Sequence, residues 1–221
     1  MPLKQTLHTR AGVLYLLIGP AGAGKNTLLA AWREKARDLG RVLSATTRPP
    51  RGRERHGREY LFLSREQFLR EVKKGFFAEW AEIHKPAGGG PGDLYGKPKK
   101  PILTAIRAGR DLATDIDIQG ARSLKAAFPD QVVTVFVLPP NRAALLKRLK
   151  GRGTESAERI ATRLRTAQQE IAALGEFDYL VINDRVARAV ADLEAIRRAE
   201  SARLRRRSKP ALAKLQKAYR A

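Results

Sequence analysis

Residues 11–29 read AGVLYLLIGPAGAGKNTLL, and the fold turns on how they are taken. Val13 to Ile18 is a short apolar run bounded by glycine and proline, the pattern of a strand buried on both faces rather than of an amphipathic helix. Gly19-Pro20-Ala21-Gly22-Ala23-Gly24-Lys25 then fits G-x-x-x-x-G-K, a phosphate-binding loop when it stands between a strand and a helix. Glycines let successive backbone N–H groups turn inward around phosphate oxygens, and the following helix N-terminus favours negative charge. Lys25 would sit on the bridging phosphates as a point charge. From Thr27 to Arg37, Leu28, Leu29 and Trp32 recur at helical spacing, and Gly40 is a plausible stop. Lys4 and Arg10 ahead of the run, with Ala21, Gly22 and Ala23 after it, imitate a secretory signal. The direct continuation into GKNT gives the run a better use as the strand feeding the loop.

The residue after the loop lysine is normally serine or threonine, whose hydroxyl binds magnesium, and here it is Asn26. Mg²⁺ takes oxygen ligands, so the amide carbonyl of Asn26 can coordinate, but it is longer than a hydroxymethyl and would displace a water or shift the ion. Thr27 offers a hydroxyl one residue on, aimed at a different phosphate. The expectation is weaker metal and nucleotide binding than a hydroxyl at position 26 would give.

Outward from the loop the chain alternates between strand and helix patterns. RVLSA (41–45) is a short second strand, and the proline- and arginine-rich TTRPPRGRERHG (46–57) is a loop. Tyr60 to Leu63 reads as a strand, and Ser64 with Gln67 resembles a capping box. KPAGGGPG (85–92) has no core-forming residue and is expected to be mobile and exposed. LATDIDI (112–118), VVTVFVL (132–138) and YLVIN (179–183) read as strands, with a helix between the last two carrying Ile160, Leu164, Ala167, Ile171 and Leu174 on one face. Such alternation predicts an α/β fold, a parallel sheet with helices on both sides.

A chain of 221 residues with 43% apolar and 30% charged residues is long enough for one domain with a real core. The absence of cysteine excludes disulfides, thiolate metal sites and a cysteine nucleophile, and makes a reducing cytoplasm the natural home. The clean apolar runs are far shorter than the about 20 residues a membrane span needs, so no membrane partner is expected. The formal charge is +22, to which residues 201–221 contribute +8 with no acid, and such a field favours anionic partners. Weak association with RNA or another polyanion is therefore an expectation from charge, although no aromatic residues interleave with the cations to stack bases.

Arg48 and Arg51 lie three apart across two prolines that stiffen the backbone, an arrangement suited to gripping a phosphate, with the Tyr60 hydroxyl available to the same oxygens. In DIDIQG the strand period places Asp115 and Asp117 on one side of a strand end. Asp115 stands where an acid could hold a magnesium-bound water. The plain alternative is that the two acids cap a turn.

In order along the chain, GPAGAGKNTLL, SATTRPPR with GREYLFLS, FFAEWAEIH, LYG, DIDIQGA, LKRLKGRGTES, RIATRLRTAQQE and FDYLVINDRVARAV together resemble guanylate kinases, which phosphorylate GMP with ATP. The resemblance runs from Val13 to about Arg198. It implies ATP and Mg²⁺ as cofactors, with Gly19 to Thr27 around the ATP phosphates and Asn26 and Asp115 at the metal. It implies GMP or dGMP as substrate, with Arg48, Arg51, Tyr60 and Tyr95 on the acceptor phosphate and Ser44, Glu79 and Asp117 at the guanine. A carboxylate such as Glu79 can accept from both the N1–H and the 2-amino group that guanine presents and adenine lacks. Lys25, Arg152 and Arg163 are the implied catalytic cations, with Arg148 assisting, and Asn183 the implied neighbour of the adenine. The implied organisation is one domain over 1–200, with core segments 11–43, 110–139 and 161–200, an acceptor lobe at 44–109, a lid at 140–160, and a basic tail at 201–221.

Three positions depart from the pattern. Lys97 replaces a serine or threonine that helps read the base, Leu94 replaces a tyrosine, and KPAGGGPG lengthens its loop by about seven residues. Two other readings stay open on the sequence: a non-catalytic module that binds phosphorylated ligands in the acceptor lobe, and a related phosphate-loop kinase with a different phosphorylated acceptor.

Overall fold

A computed structural model describes residues 10–83, 90–151, 157–207 and 209–219. Five parallel strands form the central sheet in the order β2-β7-β1-β8-β9: β1 (Leu14–Ile18), β2 (Gly40–Arg41), β7 (Leu112–Asp115), β8 (Val132–Leu138) and β9 (Tyr179–Ile182). A parallel sheet is covered on both faces, which is why β1 is apolar at every position. Alternate side chains go opposite ways. Tyr15 and Leu17 pack with Leu28, Leu29 and Trp32 of α1 (Lys25–Lys35). Leu14, Leu16 and Ile18 join Ile102 and Ile106 of α3 (Lys99–Arg107) and Leu124 of α4 (Ile118–Ala127). The sheet with helices on both sides is the architecture the alternation predicts.

A second sheet lies between β2 and β7 in sequence, in the order β4-β3-β6-β5: β3 (Ala45–Thr46), β4 (Leu61–Phe62), β5 (Phe77–Ile83) and β6 (Asp93–Pro98). Its core is Ala45, Phe68, Phe77 and Leu94, with Phe68 and Phe77 stacked at 4.4 Å. Phe68 comes from α2 (Arg65–Lys73), which begins at the capping box read from the sequence: Ser64 Oγ accepts from the Gln67 amide at 3.1 Å, and Gln67 Oε1 from the Ser64 amide at 2.8 Å. Leu94 fills this core at 1% exposure, so the departure from tyrosine serves packing.

Two expectations are corrected. RVLSA is not one strand: Arg41 pairs with Ala113 in the central sheet while Ala45 pairs with Leu61 and Gly96 in the second, so the chain crosses between sheets within it. LATDIDI is a strand only to Asp115, and Asp117 is the N-cap of α4, its Oδ1 accepting from the Gly120 amide at 2.8 Å. Aspartate at a helix start satisfies an amide with no partner inside the helix, and that local bond ends the strand alternation. Of the loop 85–92, residues 85–89 lie outside the described residues. Its far end is anchored, since Gly92 is buried, its amide bonds Glu82 and its carbonyl accepts from Arg65.

Beyond β8, α5 (Arg142–Lys150) and α6 (Ala157–Ala172) meet through Leu145, Leu149 and Ala167. On the face expected to be apolar, Ala167 is buried whereas Ile171 is 38% exposed. After β9, α7 (Val186–Ala202) packs on α1, and the basic stretch that follows is folded against the core. Arg206 is 4% exposed, paired with Glu200, which also accepts from Tyr179 at 2.6 Å. Ala11 donates to the Arg206 carbonyl, and α8 (Lys209–Ala218) buries Ala211. Among the described residues no helix is long and apolar enough to cross a membrane.

Candidate active site

The carboxyl ends of β1, β7 and β8 meet at one edge of the central sheet, where β1 has neighbours on both sides and the connections leave in different directions. Ligands in open parallel sheets bind in such a crevice. The loop after β1 is built as the sequence implies. Gly19, Gly22 and Gly24 have φ of +129°, +88° and +88°. A Cβ at Gly19 would stand 2.3 Å from the Val137 carbonyl, and one at Gly24 2.5 Å from the Asn183 amide nitrogen, so both positions demand glycine. Lys25 opens α1 and folds its ammonium over the loop, donating to the carbonyls of Gly19 and Pro20. Asn26 and Thr27 are exposed on the first turn of α1.

The apex of the loop is pinned from behind. Ala23 O accepts from Asn183 Nδ2 at 2.8 Å and from Arg148 Nη1 at 3.3 Å, while Arg148 Nη2 holds the Asn183 carbonyl at 2.7 Å. Asn183, 3% exposed, thus holds the loop, and its Oδ1 is buried with no protein partner among the described residues. Asp115 ends β7, alongside Leu17 of β1. The donors expected at a metal, Asn26 and Asp115, are both oxygens, and among the described residues no group of three or more acidic, histidine or cysteine side chains could hold an ion alone. Such a sparse set fits Mg²⁺, which keeps waters and binds through one or two protein oxygens together with substrate phosphates.

On the second sheet, Arg48 is 6% exposed and its guanidinium is clamped by Glu54, at 2.8 and 3.0 Å. It lies 5.3 Å from the centre of the Tyr60 ring, which meets Tyr95 edge-on at 6.2 Å. Glu54 also accepts from the Arg51 amide at 2.8 Å, while the Arg51 side chain is exposed. Arg48, Tyr60 and Tyr95 therefore form one cluster with Arg51 at its rim. Asp115 acts electrostatically on Tyr60, which relates this cluster to the end of β7.

Glu79 of β5 is half-buried, and its carboxyl is pushed up to about 7 by burial, with Lys97 opposing the shift and Asp117 adding to it. A Cβ at Gly120 would meet Glu79 Oε1 at 2.8 Å, so the carboxylate lies against the first turn of α4. Lys97 Nζ donates to Ser44 Oγ at 3.1 Å. Ser44, Glu79 and Lys97 thus gather beside α4, whose cap, Asp117, is exposed.

Arg163 is half-buried on α6, and Arg152 lies outside the described residues. Two acids were missed by sequence reasoning. Glu54 sits among arginines, where only its spacing of three from Arg51 signals anything. Glu170 of α6 is pushed up by burial, and the charges of Lys25 and Asp117 act on it. Its signal is a position three residues after the buried Ala167.

A phosphate loop at the switch point of a parallel sheet, joined to a separate lobe with an arginine–tyrosine cluster, defines a phosphate-loop kinase with its own acceptor lobe. The family model for guanylate kinase matches residues 11–200. The chain is 45% identical over 210 residues to the guanylate kinase of Anaeromyxobacter dehalogenans, covering 95% of this chain and 90% of that one. It is 44% identical over 189 residues to that of Dechloromonas aromatica, covering 86% and 90%. The crystal structure of guanylate kinase from Anaplasma phagocytophilum superposes with a TM-score of 0.74 at 27% identity, covering 96% of this chain and 97% of that one. The chain belongs to the guanylate kinase family.

Proposed function

We propose that this chain transfers the γ-phosphoryl group of ATP to GMP, giving ADP and GDP. The observation that carries the reading is that one molecule joins a glycine-turned phosphate loop closed by Lys25 to a lobe whose Arg48, Tyr60 and Tyr95 form one cluster of phosphate-binding side chains. In this reading the backbone of residues 19–25 cradles the ATP phosphates, and Lys25 exchanges its carbonyl partners for phosphate oxygens. Glu54 holds the Arg48 fork ready for the GMP phosphate, with Tyr60, Tyr95 and Arg51 completing the grip. Ser44, Glu79 and Asp117 take the base. Asn26 and Asp115 hold Mg²⁺, which neutralises charge on the nucleotide phosphates when bound. Arg163, Arg152 and Arg148 gather charge on the moving phosphoryl, since phosphoryl transfer depends on placement and electrostatics more than on a base. Segments 44–109 and 140–160 act as acceptor lobe and lid, closing on core segments 11–43, 110–139 and 161–200 so that water does not take the phosphoryl. Asn183 acts here through the loop it holds.

Neither a non-catalytic module nor a kinase for another acceptor is favoured, because Lys25, the acceptor cluster and Glu79 are all retained. Association with RNA rests on net charge alone and is not part of the reading. Coupled ADP release with GMP, dGMP, AMP, UMP or no acceptor tests it, on the natural chain and on Asn26→Ser. ADP release dependent on GMP is expected from both. The serine variant is expected to reach half-maximal rate at an Mg²⁺ concentration on the order of tenfold lower. Acceptor-independent release, or silence with GMP in both proteins, would contradict it.

The base-reading role of Glu79 has a pH signature. Above about 7 the carboxylate is ionised and accepts; below, it is protonated and loses acceptor capacity. The kcat/KM for GMP is expected to fall on the acid side with an apparent pKa near 7. Glu79→Gln should remove that limb, leaving only the titration of the GMP phosphate near about 6. A limb at 7 that persists in the variant would assign it to another group.

A further inference from the structure

We propose that Lys97 sets the choice of acceptor base by donating to the 6-oxo group of a purine while Glu79, beside it, accepts from the neighbouring ring N–H. The inference deepens the guanylate kinase reading and rests on it.

Lys97 on β6 stands directly opposite Glu79 on β5, and directly opposed residues in an antiparallel pair share a face of the sheet. One cation and one carboxylate are thus set side by side. Lys97 is 7% exposed, and its Nζ donates to Ser44 Oγ and to Thr114 Oγ1, both at 3.1 Å. An ammonium has three N–H donors, and among the described residues the third has no hydrogen-bond acceptor. Burial pulls this ammonium below its usual range, and the charges of Asp115, Glu79 and Asp117 act against that shift to keep it protonated.

Guanine presents an acceptor, O6, next to a donor, N1–H, and adenine presents the reverse order. Lys97 followed by Glu79 matches the first. Against adenine the ammonium would face the 6-amino group donor to donor, and the carboxylate would face the N1 lone pair. Buried polar groups left unpaired in this way are what make rejection strong. A serine or threonine hydroxyl could turn to donate or accept, whereas an ammonium only donates. Lysine at this position therefore makes the pocket one-way, selecting 6-oxo purines more strictly than a hydroxyl would.

Calorimetric binding of GMP, IMP and AMP to the natural protein, Lys97→Met and Lys97→Thr tests this, because GMP and IMP share the 6-oxo group and AMP lacks it. In Lys97→Met, GMP and IMP are expected to weaken by the same factor, roughly 10- to 100-fold, while AMP is unchanged or tighter. Lys97→Thr should recover most of the GMP affinity with a narrower gap between GMP and AMP than in the natural protein. Binding of a non-hydrolysable ATP analogue should be equal in all three, which a misfolded variant would not give. Equal weakening of GMP, IMP and AMP, or unchanged GMP binding in Lys97→Met, would overturn the proposal and leave Lys97 as a structural tie to β7. A natural protein that binds the ATP analogue but not GMP would remove the guanylate kinase reading, and this proposal with it.

Discussion

Lys25→Met is expected to lower kcat for GMP phosphorylation by about a thousandfold, equivalent to about 4 kcal/mol of transition-state stabilisation. The side chain is the cation that the loop itself presents, already folded over the carbonyls of Gly19 and Pro20. A phosphoryl group in flight spreads negative charge over its equatorial oxygens, and a single well-placed cation there is worth orders of magnitude. Methionine keeps the length of the stem and removes the charge. GMP affinity and the melting temperature should change little, since the acceptor cluster lies on the other sheet and α1 is held by Leu28, Leu29 and Trp32. A loss of less than tenfold in kcat would mean that Lys25 is not on the reacting phosphates.

The second large effect concerns stability. Asp111 has a fully buried side chain just before β7. Its two oxygens take both Arg10 nitrogens at 2.7 Å, Arg197 Nε at 2.9 Å and the Val13 amide at 3.0 Å. It therefore joins the chain entering β1 to α7 and to the start of β7. Asp111→Ala leaves two guanidinium groups partly buried without their carboxylate, a change that costs about 3–5 kcal/mol when a buried pair is broken from one side. For a chain of this size that corresponds to a fall of roughly 10 °C in melting temperature. Burial alone would raise the carboxyl, but the bonds from Arg10 and Arg197 outweigh it and hold it below the usual carboxylate range. The stabilisation is then fully present above the ordinary carboxylate value near about 4 and is lost only as pH falls through the depressed one. The deficit of the variant, measured by thermal melting, should be constant from neutral pH to about 5 and shrink in stronger acid. A melting curve unchanged at neutral pH would contradict this account.

The parts of the molecule that the sequence showed plainly are those governed by local pattern. β1, β8 and β9 are apolar runs with clear boundaries, and the glycine spacing of the loop allows one chain path. The capping box of α2 is likewise a short-range device. What the sequence concealed depends on partners distant in the chain. RVLSA has strand character throughout, yet which sheet takes Arg41 and which takes Ala45 is decided by β7 and β6, fifty residues or more away. Asp117 reads as part of a strand alternation, with a turn cap as the alternative, and the bond to the Gly120 amide makes it the cap of α4.

The site followed the same division. Lys25, Arg48, Tyr60 and Asp115 could be named from motif and spacing, and Tyr95 and Glu79 from the resemblance; the structure brings Arg48, Tyr60 and Tyr95 together in one cluster. Glu54 could not be named, since its partner Arg48 lies six residues back across Pro49 and Pro50, and an acid among arginines looks like a solvated pair. Arg206 reads as one more cation in a basic run, and only the folded chain shows it buried on Glu200. Asn183 is placed by resemblance beside the adenine, and the structure adds that its amide holds the loop through Ala23.

Transfer of the phosphoryl group is the central claim, and it is tested most directly by following the group itself. ATP labelled with ¹⁸O in its γ-phosphoryl is incubated with GMP, Mg²⁺ and the natural protein, and the products are read by mass spectrometry. The account predicts GDP carrying the label in its β-phosphoryl, formed only when both nucleotides are present. Label found in inorganic phosphate alone, with GMP recovered unchanged, would contradict it.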